Sequence, residues 1–121
     1  MTVPVEPIAK DEFLEALAAL EEGLDDQRRR ATLIEKRIAQ IRRRRALGAS
    51  YSEIVSSNDT PLIVQLLTES SIALDTWGAD VRRAEARALY EEGLTMEQIA
   101  EHFGVTRQRV STLLRNANEA A

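Results

Sequence analysis

The chain contains no cysteine, which excludes disulfides, thiolate metal sites and a cysteine nucleophile and suits a reducing compartment. Proline is scarce: Pro4 and Pro7 lie in the first nine residues and Pro61 stands alone. Aromatic residues make up only 4% of the chain, and Ala, Leu, Glu and Arg, all good helix formers, dominate. No run of β-branched residues alternates with polar ones, so strands are not expected. Uninterrupted apolar runs are only a few residues long, far short of a membrane span, so no membrane contact is expected. The start, Met1 to Lys10, lacks the basic stretch and apolar core of a signal peptide, and the expected location is the cytoplasm. There is no His–carboxylate–nucleophile set, no phosphate-cradling glycine loop and no metal-ligand spacing. Neither enzymatic activity nor a metal or cofactor is therefore expected.

What is present is charge in blocks. The formal net charge of −4 speaks against a nucleic-acid binder only until it is resolved along the chain. Residues 1–27 carry −7, residues 28–48 carry +8, residues 49–80 carry −5, and residues 81–121 balance. Basic surface can therefore exist locally. The arginines at 28–30 and 42–45 suit either phosphates or the neighbouring acids.

Residues 1–9 show no helical pattern and read as a flexible tail. A helix is expected from Lys10 or Asp11, with acids in its first turn where the helix dipole favours them. A heptad seam then runs through Phe13, Leu17, Leu20, Leu24, Gln27, Ala31, Ile34, Ile38 and Ile41, stepping alternately by four and three. Gln27 and Ala31 weaken its middle, and Gly23 with Asp25 and Asp26 is a possible break. Residues 10–48 are thus either one long helix or a hairpin. In both cases an apolar stripe needs a cover, and a second copy of the chain is the expected one, with Phe13, Leu17, Leu20, Leu24, Ile34, Ile38 and Ile41 as the dimer seam.

Gly48 is expected to end this region. A short helix over Tyr51–Val55 and a loop to Thr60 follow, with Thr60 as cap and Pro61 at the first helical position. Leu62, Ile63, Leu66, Leu67, Ile72 and Ala73 form the expected apolar face of the next helix. A further helix carrying Trp77, Val81, Ala84, Ala88 and Leu89 begins near Asp75, unless 61–92 is one helix with Gly78 inside it. Trp77, Tyr51 and Tyr90 read as packing residues and His102 as a surface residue. The segment from Gly48 to Val55 is similar to that from Gly93 to Ala100, which raises a degenerate second helix-turn-helix within 49–80.

The most informative stretch is Leu94–Arg115. Thr95 with Gln98 three residues on is a capping box. Ile99, Ala100 and Phe103 form one inner face, Gly104 stands where a left-handed backbone turns the chain, and Val105 is expected to plug the turn. Thr106 caps a second helix whose inner face is Val110, Leu113 and Leu114. A small residue, a turn glycine four later and a branched apolar residue six after that meet the packing demand of two steeply crossing helices.

The run Phe103-Gly104-Val105-Thr106-Arg107-Gln108-Arg109-Val110 resembles region 4.2 of bacterial sigma factors, with Gln108 where that family usually has an acid. No counterpart of sigma region 2 is visible. The resemblance implies a DNA-reading module rather than a complete sigma factor, and RNA polymerase or another protein as a further partner.

The expected architecture is all-α: an extended N-terminal helix or hairpin at 10–48, connecting helices at 49–80, a helix-turn-helix domain at 81–116 and a tail at 117–121. With Val110, Leu113 and Leu114 turned inward, Arg107, Gln108, Ser111 and Thr112 are candidates to read base edges in the major groove. Arg109, Arg115 and the helix starts Thr95 and Thr106 suit phosphates. The expected function is a small dimeric DNA-binding regulator. The alternative is an assembly or recruitment factor, such as a phage packaging recognition subunit or a transcription accessory protein, whose helical N-terminus docks a partner.

Overall fold

The computed structural model describes residues 11–57 and 61–119, with side chains described as far as Arg115. They form five helices and, among the described residues, no strand: α1 (Glu12–Ala46), α2 (Tyr51–Ser56), α3 (Ile63–Glu91), α4 (Met96–Phe103) and α5 (Arg107–Glu119). The tail expected at 1–9 and the Thr60 cap lie outside the described residues. The chain divides into two compact units. One takes the residues up to Leu20 and those from Trp77 onward; the other runs from Glu21 to Thr76.

α1 is one unbroken helix, and Asp11 caps it. The Leu14 N–H donates to Asp11 Oδ1 at 3.0 Å, and the Glu15 N–H to the Asp11 carbonyl, so orphan donors of the first turn are satisfied. Gly23 does not break the helix; it is buried within it. The acids and bases on either side of residue 27 pair locally, Asp25 with Arg28 and Asp26 with Arg29, one turn apart on the same helix. No hairpin is needed to bring them together.

The inner stripe of α1 departs from the expected seam at Leu17, Leu24 and Ala31. Phe13, Leu20, Gln27, Ile34 and Ile41 are at least half-buried as expected. The inner residues between them are Ala16, Gly23, Arg30 and Arg37, with Arg44 following Ile41, whereas Leu17 and Leu24 remain 38% and 37% exposed. Ile38 is half-buried beside the stripe, and Ala31 is exposed. The small residues Ala16 and Gly23 occupy inner positions that an apolar count assigns to leucine.

In the unit from Glu21 to Thr76, α1 meets α3. Gln27 Nε2 donates to the Ser70 carbonyl at 2.9 Å, and Arg30, mostly buried, lies 3.6 Å from Glu69 and donates to Ser70 Oγ at 3.4 Å. Part of the polar weakness of the seam is therefore answered within the chain. Ile54 of α2 and Leu66 of α3 are the buried apolar residues of this unit.

α3 is a single helix that runs through Asp75, Thr76 and Gly78. It begins two residues later than Pro61 would place it. Leu62 takes the cap position, its carbonyl accepting the Leu66 N–H and its N–H donating to Gln65 Oε1. The inner face is rotated from the expected one: Leu66 is buried and Ile63, Ser70 and Ala73 are half-buried, but Leu67 and Ile72 are exposed. The pairing of Ser70 with Gln27 fixes that rotation, and a polar inner residue is invisible to an apolar count. Trp77 is half-buried; Tyr51 and Tyr90, expected to pack, are exposed, and so is His102.

The two similar segments share one local device. Gly48 and Gly93 both have positive φ, 96° and 101°, and follow the ends of α1 and α3. In each, the next N–H reaches back five residues, Ala49 to the Arg44 carbonyl and Leu94 to the Leu89 carbonyl. A hydroxyl then caps the next helix: Ser50 Oγ accepts from the Glu53 N–H, and Thr95 Oγ1 from the Gln98 N–H, both at 3.1 Å. Ile54 and Ile99 are buried at equivalent places. Beyond that the copies part. α2 stops at Ser57 in an extended backbone, whereas α4 runs into the left-handed Gly104 and turns into α5. The start of α3 exposes Val64 and Leu67, with no basic residue near them in sequence.

Candidate nucleic-acid interface

The unit that contains α4 and α5 is built around six buried residues: Ala86 from α3, Ile99 and Ala100 from α4, and Val110, Leu113 and Leu114 from α5. Leu89, Leu94, Met96 and Phe103 close over them. Ala86 is fully buried. It was not part of the apolar stripe read from Val81, Ala84 and Ala88, because α3 uses two faces here. Ala84 and Ala88 line a groove with Phe13 of α1, and Ala86 turns to α4 and α5.

The starts of the two short helices are capped by side chains, and the end of α4 by backbone bonds. Thr95 and Gln98 form the expected capping box, with Gln98 Oε1 accepting the Thr95 N–H at 2.8 Å. Replacing Thr95 by alanine removes one of the two reciprocal bonds. It is expected to lower the unfolding free energy by about 1 kcal/mol, read as a fall in the urea midpoint with unchanged slope. Gly104 ends α4 at φ 68°, ψ 33°, its N–H directed to the carbonyls of Ala100 and Glu101. Thr106 then caps α5, accepting the Arg109 N–H on Oγ1 at 3.1 Å. Val105 does not plug the turn: it is 40% exposed and, with Phe103 and Leu113, floors a groove rimmed by Arg82, Glu85 and Arg109. The turn is closed by backbone bonds instead, the Val105 N–H reaching the Ala100 carbonyl at 3.0 Å.

With Val110, Leu113 and Leu114 buried, helical geometry sorts the remaining side chains of α5. Gln108, Thr112 and Arg115 fall along the strip most directly opposite the core, with Ser111 at its edge. Gln108, Arg115, Arg107 and Arg109 are exposed, and Ser111 and Thr112 half-exposed. The strip is linked along its length: Thr112 Oγ1 donates to the Gln108 carbonyl, and Arg115 lies 3.4 Å from Thr112 Oγ1. The structure thus brings Arg115 alongside the candidate base readers, while Arg107 and Arg109 occupy opposite flanks. Arg109 borders the groove with Arg82 and Glu85, and Arg107 the one with Thr95 and Tyr90. Thr95 and Thr106 are exposed at their helix starts.

Arg107 has a partner that the sequence did not indicate. Its Nε lies 3.0 Å from Glu97 Oε1 in the first turn of α4. Both side chains are about two-thirds exposed, so the pair is worth no more than about 1 kcal/mol and a phosphate or base edge can displace the carboxylate. Glu97→Gln is expected to tighten duplex binding about threefold at low salt and to have little effect at high salt, as measured by anisotropy titration.

No group of three or more metal-ligating residues occurs among the described residues, and no described helix is long and apolar enough to cross a membrane. No curated protein and no solved structure matches the chain. Residues 82–120, which take in the last ten residues of α3 and all of α4 and α5, match the family model for sigma-70, region 4. This part of the chain is a helix-turn-helix that resembles sigma region 4, and a domain of that kind implies DNA binding.

Proposed function

We propose that the protein is a small DNA-binding regulator that inserts α5 into the major groove, with Gln108, Ser111, Thr112 and Arg115 facing base edges and Arg107 and Arg109 flanking them. The observation that carries this reading is the strip opposite the core of α5, which from Gln108 to Arg115 holds only hydrogen-bonding and cationic side chains and no acid. Glutamine can pair with adenine and arginine with guanine through two bonds each, which is the chemistry of direct readout. The N–H groups at the starts of α4 and α5, beside Thr95 and Thr106, suit phosphates.

We further propose that the protein works as a homodimer. Leu17 and Leu24 of the expected seam stay partly exposed, and Val64, Leu67 and Leu74 add apolar surface on α3. Such side chains favour a helical partner. The same surface supports the second reading, an assembly or recruitment factor whose helices dock another protein, RNA polymerase included. Selection from a randomised duplex pool, together with the mass of the free protein in solution, separates these readings. A dimer that selects an inverted repeat, its half-sites about one helical turn or a multiple apart, is the expected result. A larger ring that selects no motif would favour the assembly role and overturn the regulator.

A further inference from the structure

The structure also carries more positive charge in the unit from Glu21 to Thr76 than its own fold uses. Upstream in α1 the arginines are matched: Arg28 with Asp25, Arg29 with Asp26, Arg30 with Glu69. Beyond Glu35 the sequence balance changes. Residues 36–57 contain six bases and a single acid, Glu53. Arg44 is held by Ser57 Oγ at 2.6 Å, and Arg45 lies over the Tyr51 ring at 4.4 Å and donates to the Ala49 carbonyl. Lys36, Arg42 and Arg43 are exposed and make no ion pair among the described residues. The negative end of the helix dipole favours the cations of the last turn, Arg43, Arg44 and Arg45, but does not account for Lys36 two turns earlier.

The placement of these three is specific. Lys36 and Arg43 are seven residues apart, so they lie on one line of α1, about 10 Å from each other, with Arg42 one step around. Between and beside them on the outward face stand Ala39 and Ala46, both exposed. From Lys36 to Arg43 the face is cationic and polar, with the exposed Leu33 and Leu47 one turn beyond its two ends. A helix that lies in a bilayer surface needs a continuous apolar stripe to bury, and two leucines separated by this basic stretch do not form one. Small residues between cations let a rigid anionic surface approach the helix closely, and guanidinium groups bind phosphate oxygens in pairs.

We propose that Lys36, Arg42 and Arg43 form a second DNA-contacting surface that binds the phosphate backbone without reading sequence. This rests on the reading that the protein binds duplex DNA through α5. Each phosphate neutralised should add about 0.9 to the slope of log affinity against log salt.

The test is an anisotropy titration of the full chain on duplex DNA over a salt series, comparing wild type, K36A/R42A/R43A, the charge-preserving R42K/R43K, and Q108A. Circular dichroism confirms that each is folded. The triple variant is expected to lose about 2–3 units of salt slope and at least about tenfold in low-salt affinity, equally on all sequences. R42K/R43K should retain the slope, and Q108A should alter sequence preference and leave the slope intact. An unchanged slope in the folded triple variant, with Q108A still altering preference, would overturn the second surface and leave the α5 reading standing. A reduced slope in the triple variant with no effect of Q108A would support the surface and count against α5. Binding to phosphatidylserine vesicles that depends on these three residues, with no change in DNA slope, would also overturn the proposal in favour of a membrane surface.

Discussion

Ile99→Ala is expected to cost about 2–5 kcal/mol of stability and to leave the C-terminal head largely unfolded at physiological temperature. Ile99 is completely buried in a core cluster with Ala86, Ala100, Val110, Leu113 and Leu114. Truncation removes the transfer free energy of three carbons and leaves a cavity whose walls are rigid short helices. A small domain has only about 5–15 kcal/mol in total, so a loss of that size is a large fraction. Urea unfolding followed by circular dichroism reads it directly. Ile99→Val, which removes a single methyl group, should cost about 1 kcal/mol and preserve DNA binding. A midpoint for Ile99→Ala within error of wild type would mean that the core is not the one described.

The second large effect concerns recognition. Gln108→Ala is expected to lose about 1–3 kcal/mol of discrimination at one base position, which is about five- to a hundred-fold, with little change in salt slope. Arg109→Ala should do the opposite, weakening binding on all sequences and lowering the slope by about one unit. The contrast follows from geometry. Gln108 lies on the strip opposite Val110 and Leu113, whereas Arg109 borders the groove beside Arg82 and Glu85 on the flank of α5. Comparing the preferred duplex with single-base variants separates the two signatures. If both substitutions weaken all sequences equally, α5 contacts only the backbone.

The head was legible because its signals are short-range. The Thr95–Gln98 box, the Gly104 turn and the Thr106 cap each involve residues within four positions of one another, and each appears where the sequence placed it. The apolar faces of α4 and α5 followed from the same spacing. The long helices were less legible because their packing depends on distant partners. Apolar periodicity selected Leu17 and Leu24, but the inner positions belong to Ala16 and Gly23, whose small size allows close approach and gives no hydrophobic signal. Leu67 was read as inward and lies outward, because Ser70, bonded to Gln27 from 43 residues away, sets the rotation of α3. Ala86 was missed for a similar reason: α3 serves two neighbours there, and one stripe was read where two exist. The tie between Arg107 and Glu97 joins two helices across the turn and has no counterpart in either helix's own pattern.

The repeat of cap, hydroxyl and buried isoleucine at Gly48–Ile54 and Gly93–Ile99 shows what local sequence settles and what it does not. Both copies stop one helix and start another in the same way. Only the second continues into a left-handed glycine and a helix with a polar outward face, and only the second falls in the stretch that resembles sigma region 4. The difference between a helix junction and a helix-turn-helix lies in the dozen residues after the shared device.

The most direct test of the central claim is anisotropy on a pool of random duplexes at increasing salt, with wild type beside Arg107→Ala/Gln108→Ala. Wild type is predicted to bind with a steep salt slope, and the double variant to lose tight binding while its circular dichroism stays helical. Failure of wild type to bind at low salt, where even non-specific phosphate contacts hold a duplex, would contradict DNA recognition by α5.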